Sequence, residues 1–343
     1  MMADKITSLQ VAELAGVSQS AVSRVFTPGA SVSAKTREKV RKAAEELGYR
    51  PNVLARAMVS GKSRIIGLVV AYLENQFYPV AIEKLSNSLQ EHGYHVLIFM
   101  AAQTSGNIDD VLEEILDYQV DGIVMASVAM SSNVASRCQQ AGIPIVLFNR
   151  SQDMDGITSV ATDNYAGGRK VAEFLIAGGH KKISYVAGWE GASTQRDREA
   201  GFRAALQDAG HDLHSRAVGD FHTETAREAA RELFDKPAAD RPDAVFVAND
   251  HMALAVMDVL RFDLNLKIPE DVSVVGFDDV PPAGWPAYDL TTLRQRSNMM
   301  VQETVSALLD HINQPAAVVP RKIAIDGPLV VRGSAKTPEG YDQ

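Results

Sequence analysis

The sequence predicts a two-lobed α/β body of doubly wound parallel sheets, preceded by a small all-α head. Three observations predict it. From residue 65 onward, apolar runs of strand length alternate with amphipathic stretches of helix length, in two successive series. Before residue 52 there are no such runs, only three short helical patterns separated by turn residues. Charge is divided in the same place: residues 1–62 carry 10 Lys+Arg against 5 Asp+Glu, a net of +5, while the other 281 residues carry 24 against 38, a net of −14. A basic head on an acidic body meets phosphates with one part and is repelled from them by the other.

In the head, Ser8 can cap a first helix carrying Leu9, Ala12, Leu14 and Ala15, and Gly16 permits the tight turn after it. Ser18 caps a second helix, roughly 19–26, with Ala21, Val22 and Val25 inward and Gln19, Ser20, Ser23 and Arg24 mostly on the other face. Pro28 and Gly29 end it. Ser33 caps a third helix with Val40, Ala43, Ala44 and Leu47 at i, i+3, i+4 and i+7, stopped by Gly48. Three helices with a glycine turn between the first two match a helix-turn-helix, whose second helix enters a major groove about 12 Å wide. Compact polar groups suit that face: Arg24 can fork onto a guanine and Gln19 can pair with an adenine. A solvated face on a small helical bundle has the same spacing.

The body alternates as follows: IIGLVVAYL, helix AIEKLSNSLQEHG, YHVLIFMA, helix 107–118, GIVMASV, helix 131–142 and IPIVLFNR; then helix 165–178, KISYVAG, helix 197–210, AVGDF, helix 223–235, AVFVAND, helix 251–262 and VSVVGFDD. Two such series mean two Rossmann-like lobes. Open parallel sheets bind ligands beyond the carboxyl ends of their strands. Those ends carry Tyr72, Asn75, Phe77, Tyr78, Ser127, Asn149, Asp163, Trp189, Phe221, Asn249, Asp250, Asp278 and Asp279, a mixture of amides, carboxylates and rings suited to a hydroxyl-rich ligand. Each alone also reads as a helix cap or a packed ring.

Several functions are excluded by pattern. One cysteine, Cys138, permits no disulfide framework and reads as a buried thiol in a reducing cytoplasm. The opening MMADKITSLQVAELAG has no apolar core of a signal peptide, and no run of 18 apolar residues occurs, so export and membrane spanning are not expected. Neither lobe has G-x-G-x-x-G after its first strand, GKS at 61–63 lacks the glycine of a phosphate loop because position 56 is Arg, and no hydrolase or metalloprotease motif is present. His92 with His95 and His211 with His214 lack further ligands, so no metal or cofactor is expected.

The runs LQVAELAGVSQSAVSRVF and VSAKTREKVRKAAEELGYRPNVLARAM closely resemble the headpiece of the LacI/GalR family of bacterial transcription regulators, nearly without gaps from residue 6 to about 64. The resemblance implies that Gln19, Ser20 and Arg24 sit in the major groove beside Ser18 and Ala21, and that Thr7, Ser33, Thr36 and Tyr49 grip phosphates. It also implies a hinge helix at 52–58 that orders on DNA, with Asn52 and Ala55 lining the minor groove and Met58 as the wedge where leucine is usual. The loop TPGAS at 27–31 departs from the commonest family spelling. More loosely, the body resembles the two-lobed, periplasmic-binding-protein-like effector domain. There Arg198, in RDREAGF, matches a ligand-binding arginine, Phe221 a ring that stacks on the effector, Asn249 and Asp278 a polar pair, and Asn149 and Ser127 first-lobe contacts.

These readings imply a headpiece at 1–51, a hinge at 52–62, a first lobe of 63–162 plus about 294–320, a second of 163–290 plus about 321–333, and a tail at 334–343. LTTLRQ at 290–295 is expected to return to the first lobe and residues near 321–333 to the second. The implied protein is a cytoplasmic homodimeric repressor that binds a near-palindromic double-stranded operator and is released by a sugar-like effector. The tail has no leucine heptads for a tetramer. Tyr72, Arg198, Phe221 and Asp278 fit a monosaccharide, a sugar acid or a polyol, with a purine also open, and Arg198 beside Arg196 hints at an anionic group unless either pairs with Asp197 or with the neighbouring lobe. The alternatives are a sugar-binding protein without DNA function, which the headpiece argues against, and an enzyme, for which no catalytic constellation is found.

Overall fold

The computed structural model describes residues 6–27, 30–50, 62–101, 108–128, 132–152, 156–315 and 318–340. The chain falls into two compact units, residues 1–63 and 64–343. The expected hinge, with Asn52, Ala55 and Met58, lies outside the described residues.

The first unit is three helices: α1 (Ser8–Ala15), α2 (Gln19–Val25) and α3 (Ala34–Leu47). Thr7, not Ser8, caps α1, because Thr7 and Gln10 form a reciprocal capping box. Ser18 and Ser33 cap the other two. Gly16 takes φ +63° and Gly48 φ +67°, the left-handed turns that an L side chain resists. The core is Val11, Ala12, Ala15, Val22, Val25, Val40, Ala43 and Ala44. Leu9 and Leu14 are exposed, and Val11 supplies the inner face of α1 with Ala12 and Ala15.

The second unit holds two sheets. The first lobe contains β1 (Ile65–Val70), α4 (Phe77–Glu91), β2 (His95–Met100), α5 (Ile108–Asp117), β3 (Gly122–Ala126), α6 (Ser132–Gln140), β4 (Ile145–Phe148) and β5 (Thr158–Thr162). The second contains α7 (Asn164–Ala177), β6 (Ile183–Ala187), α8 (Ser193–Asp208), β7 (Ser215–Val218), α9 (Thr223–Phe234), β8 (Ala244–Val247), α10 (Asp250–Asp258, continued by a π turn to Asp263), β9 (Ser273–Asp278) and β10 (Thr291–Arg294). Then come α11 (Ser297–Asn313), β11 (Lys322–Ile325) and β12 (Leu329–Val330). The sheet orders are β11-β5-β4-β3-β1-β2 and β12-β10-β9-β8-β6-β7, parallel throughout except β10 with β12. Buried parallel strands explain why β1, β3, β4, β8 and β9 read as unbroken apolar runs.

The crossings between lobes differ from the expected ones. Residues 291–294 form β10, which pairs with β9 in the second sheet, so the chain returns to the first lobe only after it. Residues 322–325 form β11 beside β5 in the first sheet, and only β12 rejoins the second. The physical reason is α11: it packs on β3, β4, β5 and α4, which delivers the next strand to the first sheet. The three crossings lie side by side. Asp163 N–H donates to Ile325 O at 2.9 Å, Arg294 N–H to Pro328 O at 2.9 Å, and Thr162 Oγ1–H to Gln295 Oε1 at 2.7 Å. The expected tail is also built in: Ser334 is buried, its Oγ donates to Val274 O and accepts from Thr291 N–H.

Candidate functional site

The second helix of the head presents Gln19, Ser20, Ser23 and Arg24 to solvent. Its side chains are lightly held: Gln19 Nε2 donates to Ser8 Oγ at 2.9 Å, Arg24 Nε to Ser20 O at 3.4 Å, and Ser18 Oγ lies 3.0 Å from Ser20 Oγ. Ala21 is half-buried beneath them. Thr7 sits at the N-terminus of α1; Ser33 and Thr36 sit at that of α3, their hydroxyls 2.8 Å apart. Helix N-termini attract phosphate, so these caps are well placed for a backbone. Tyr49 packs its ring on Phe26, centroids 5.9 Å apart.

In the body, four strands end in left-handed residues at the cleft: Ser127 after β3, Asn149 after β4, Asp220 and Phe221 after β7, and Asp278 and Asp279 at β9. None is glycine, and for a ring as large as Phe221 this conformation is strained, a condition that concentrates at functional sites. Among these residues, Asp278 meets Asn75 of the first lobe and Ser127 meets Arg150, whereas Asp279 pairs with Arg294 and Arg332 of its own lobe.

A buried polar network fills the cleft. Asn75 Nδ2 donates to Asp278 Oδ2 at 3.0 Å, and Gln295 Nε2 to Asp278 Oδ1 at 2.6 Å. Arg198 lies 3.6 Å from the same carboxylate, donates to Asn164 Oδ1 and Ala248 O, and stacks over the Phe277 ring at 3.6 Å. Burial pushes the Asp278 carboxyl above its ordinary range, with Arg198 and the amide donors pulling the other way. Asp250 is fixed by Thr292 Oγ1 and Val280 N–H; burial first and Asp278 second push it up to about 7. Arg150 donates from Nη1 to Thr194 Oγ1 at 2.6 Å and from Nη2 to Ser127 Oγ at 3.1 Å, and Ser151 N–H donates to Ser193 Oγ. Asn75, Arg150 and Ser151 therefore each join the first lobe to the second.

Three buried polar atoms here have no partner: Asn149 Oδ1, Arg150 Nε and Asn249 Nδ2. Asn249 Oδ1 caps α10 by accepting from Met252 N–H, which fixes its amide nitrogen as the free group. Asn149 Nδ2 donates to Tyr78 Oη at 3.2 Å, leaving its oxygen free. One acceptor and two donors suit a ligand that both gives and takes hydrogen bonds.

Of the expected ligand residues, Asn75, Arg198 and Asp278 come together in this network and Ser127 holds Arg150, while Asn149 and Asn249 are buried after β4 and β8 with partners outside it, Tyr78 and Met252. Tyr72 lies edge-on to Tyr78, centroids 5.3 Å apart, and burial raises its hydroxyl well above the ordinary range. Phe221 is buried, its ring held close over Gly188. Phe77 departs from expectation: it stacks on Phe148 in the first-lobe core, because the first turn of α4 aims it at the sheet, and Tyr78 takes the cleft position. Arg196 is exposed while Arg198 is buried and matched to Asp278, so the two do not act as a pair. Arg150, Thr162, Ser193, Thr194 and Gln295 escaped sequence reading. Only Arg150 carried a signal there, a cation directly after an apolar strand.

Cys138 is buried, its thiol pushed up to about 11 by burial. Among the described residues no cluster of His, Cys, Asp or Glu could hold a metal, and no helix is long and apolar enough to cross a membrane.

Residues 9–52 match the model of bacterial regulatory proteins of the lacI family, and residues 172–335 that of the periplasmic binding protein-like domain. The chain is 34% identical over 334 residues to the HTH-type transcriptional regulator CelR of Thermobifida fusca, covering 94% of this chain and 96% of that one. It is 30% identical to the ribose operon repressor of Escherichia coli K12, covering 96% and 99%. Among solved structures, the lac repressor dimer bound to operator and the anti-inducer ONPF superposes with TM-score 0.86 at 28% identity, covering 96% of this chain and 99% of that one. A CelR–cellobiose complex gives 0.72 at 31% identity, covering 96% and 100%.

Proposed function

The chain belongs to the lacI family of bacterial regulatory proteins, and on that premise we propose that it is a homodimeric repressor whose operator affinity is set by a small sugar-like effector held between the two lobes. It is a transcriptional regulator with a helix-turn-helix head and a two-lobed α/β body. The observation that carries the effector reading is the pair of partnerless buried atoms, Asn149 Oδ1 in the left-handed turn after β4 of the first lobe and Asn249 Nδ2 after β8 of the second. A hydroxylated ligand completes both.

Gln19, Ser20 and Arg24 read base edges, with Ser18 and Ala21 alongside, while Thr7, Ser33, Thr36 and Tyr49 position the phosphates. Two heads facing two half-sites require a near-palindrome. Asn52, Ala55 and Met58 carry the same family expectation of minor-groove contact. In the body, Tyr72, Asn75, Ser127, Asn149, Arg198, Phe221, Asn249 and Asp278 receive the effector.

The ligand acts through the links between lobes. Asn75–Asp278, Arg150–Thr194 and Ser151–Ser193 are made in this arrangement, and a ligand that competes for these groups turns the lobes about the three adjacent crossings. A differential affinity of about 1–3 kcal/mol between the two lobe arrangements changes operator affinity about 5–150-fold. The working cell compartment of such a regulator is the cytoplasm, and it performs no catalysis.

The test is a mobility shift with DNA fragments from the protein's own genomic neighbourhood, with and without a panel of sugars. A salt-sensitive shift released by one of them supports the reading. A chain that binds sugar but no fragment at low salt is a carrier, and the regulator reading fails.

A further inference from the structure

Arg150 is 5% exposed, and among the described residues no carboxylate lies within 4 Å of it. Its two terminal nitrogens meet neutral hydroxyls, Thr194 Oγ1 and Ser127 Oγ, and its Nε meets nothing. Asp278, the acid on which the Arg150 charge acts, is already matched to Arg198 and to the amides of Asn75 and Gln295. Asp250, the other buried acid of the network, is committed to Thr292 Oγ1 and Val280 N–H, so among the described residues Arg150 has no ion-pair partner. A buried guanidinium without a counter-ion is costly, and proteins retain one where something else supplies the charge. Because Ser127 and Thr194 accept from Arg150, their own protons are free to point at the same incoming group.

We propose that the effector is an anionic sugar derivative, whose carboxylate or phosphoryl group pairs with Arg150 while its hydroxyls meet Asn149 and Asn249. This rests on the effector-sensing reading above and narrows it. The guanidinium fork fits both anions, each offering two or more oxygens in one plane or face. It also couples ligand to output. An anion drawing the Arg150 fork away from Thr194 breaks a direct link between the first lobe and α8 of the second.

Calorimetric titration of the full-length protein with matched sets tests this: glucose, glucuronate and glucose 6-phosphate; galactose, galacturonate and galactose 6-phosphate; ribose, ribonate and ribose 5-phosphate. At least one acid or phosphate is expected to bind about 30-fold or more tighter than its neutral parent, as charge-assisted hydrogen bonds to a buried partner do. The acid and phosphate arms separate the two sources. Arg150→Gln is expected to abolish the preference, and Arg150→Lys to restore most of it. A neutral sugar that binds as tightly as its charged counterparts, or an Arg150→Gln protein that keeps the preference, overturns the proposal and leaves the sugar-sensing reading standing. Binding by no member of any set at 10 mM-scale concentration, where even weak sugar sites fill, overturns both.

Discussion

Asn75 Nδ2 donates to Asp278 Oδ2 across 3.0 Å, from the first lobe to the second, and the same carboxylate is the only one matched to Arg198 among the described residues. The two partners of Asp278 differ in what their loss leaves behind. Asn75→Ala removes a neutral donor while Gln295 and Arg198 stay, a cost of about 1 kcal/mol. Asp278→Ala strands a guanidinium that is 2% exposed, a cost of about 3–5 kcal/mol. Urea unfolding of the two variants is expected to rank them in that order by a clear margin; equal losses would show that Arg198 is not held by this pair.

Asp250 sets a pH dependence. With its folded carboxyl pushed up to about 7, the native state keeps a proton that the unfolded chain has already released. Its contribution to stability is therefore largest at low pH and is lost as pH rises from about 4 to about 7. Asp250→Asn lacks that titration. The melting temperature of the unaltered protein minus that of the variant is expected to fall between pH 5 and pH 7.5. A difference that grows over this interval would contradict the raised carboxyl.

The recognition helix makes a different kind of prediction. Among the described residues Gln19 and Arg24 are held only by Ser8 Oγ and Ser20 O, so a base edge replaces each partner at little cost. Alanine at either position is expected to weaken the preferred operator by about 1–3 kcal/mol and to leave non-specific affinity nearly unchanged. Competition shifts against scrambled DNA measure the ratio. Retained discrimination in the double variant would remove α2 as the reader.

Arg198 reaches the cleft because α7 and α8 cross at bare backbone. A Cβ on Gly201 would lie 2.0 Å from Tyr165 O, and one on Gly168 would lie 2.1 Å from Arg198 O. Alanine gains about 1 kcal/mol over glycine in a helix interior. Here it meets a carbonyl that has no rotamer to change, and overpacking costs about 1–3 kcal/mol or more. Gly201→Ala is expected to lower the melting temperature and shift Arg198 enough to blunt the effector response. A stabilised, fully responsive variant would show that the helices simply slide apart.

What the sequence revealed follows from burial. Strands such as IIGLVV and SVVGFD are covered on both faces and stand out as apolar runs, so the order of the lobes was legible. Thr158–Thr162 was not, because its polar TSVAT is buried by bonds that only tertiary structure supplies, such as Thr162 to Gln295. The lobe membership of β10 and β11 was hidden for a similar reason: both sheets take the same strand order, and α11 alone decides which receives the next strand. Arg150 stood in plain view at the end of IPIVLFNR, yet a cation after a strand ordinarily faces water. Its burial depends on Ser127, Thr194 and the left-handed turn at Asn149, none of which leaves a local signature.

The edge strand β2 carries the last prediction. Phe99 faces the core, while Ile98, 51% exposed, and Met100, 50% exposed, face outward on alternate positions, and among the described residues no strand pairs with the outer side of β2. In the second lobe Phe262 and Trp285 are likewise exposed. An open edge with an apolar face invites a second strand or a second copy. The homodimer proposed above needs a face shared by two copies, and the open edge of β2 is the expected one. Ile98→Glu with Met100→Glu is expected to leave the fold intact, since exposed substitutions change stability by about 0.5 kcal/mol or less. Sedimentation should move from dimer to monomer, and operator affinity should fall by about a hundredfold or more as the second head loses its tether. Val319→Glu, at an exposed position on another part of the first lobe, is the control. A dimer that survives the double change at unaltered operator affinity would place the contact elsewhere.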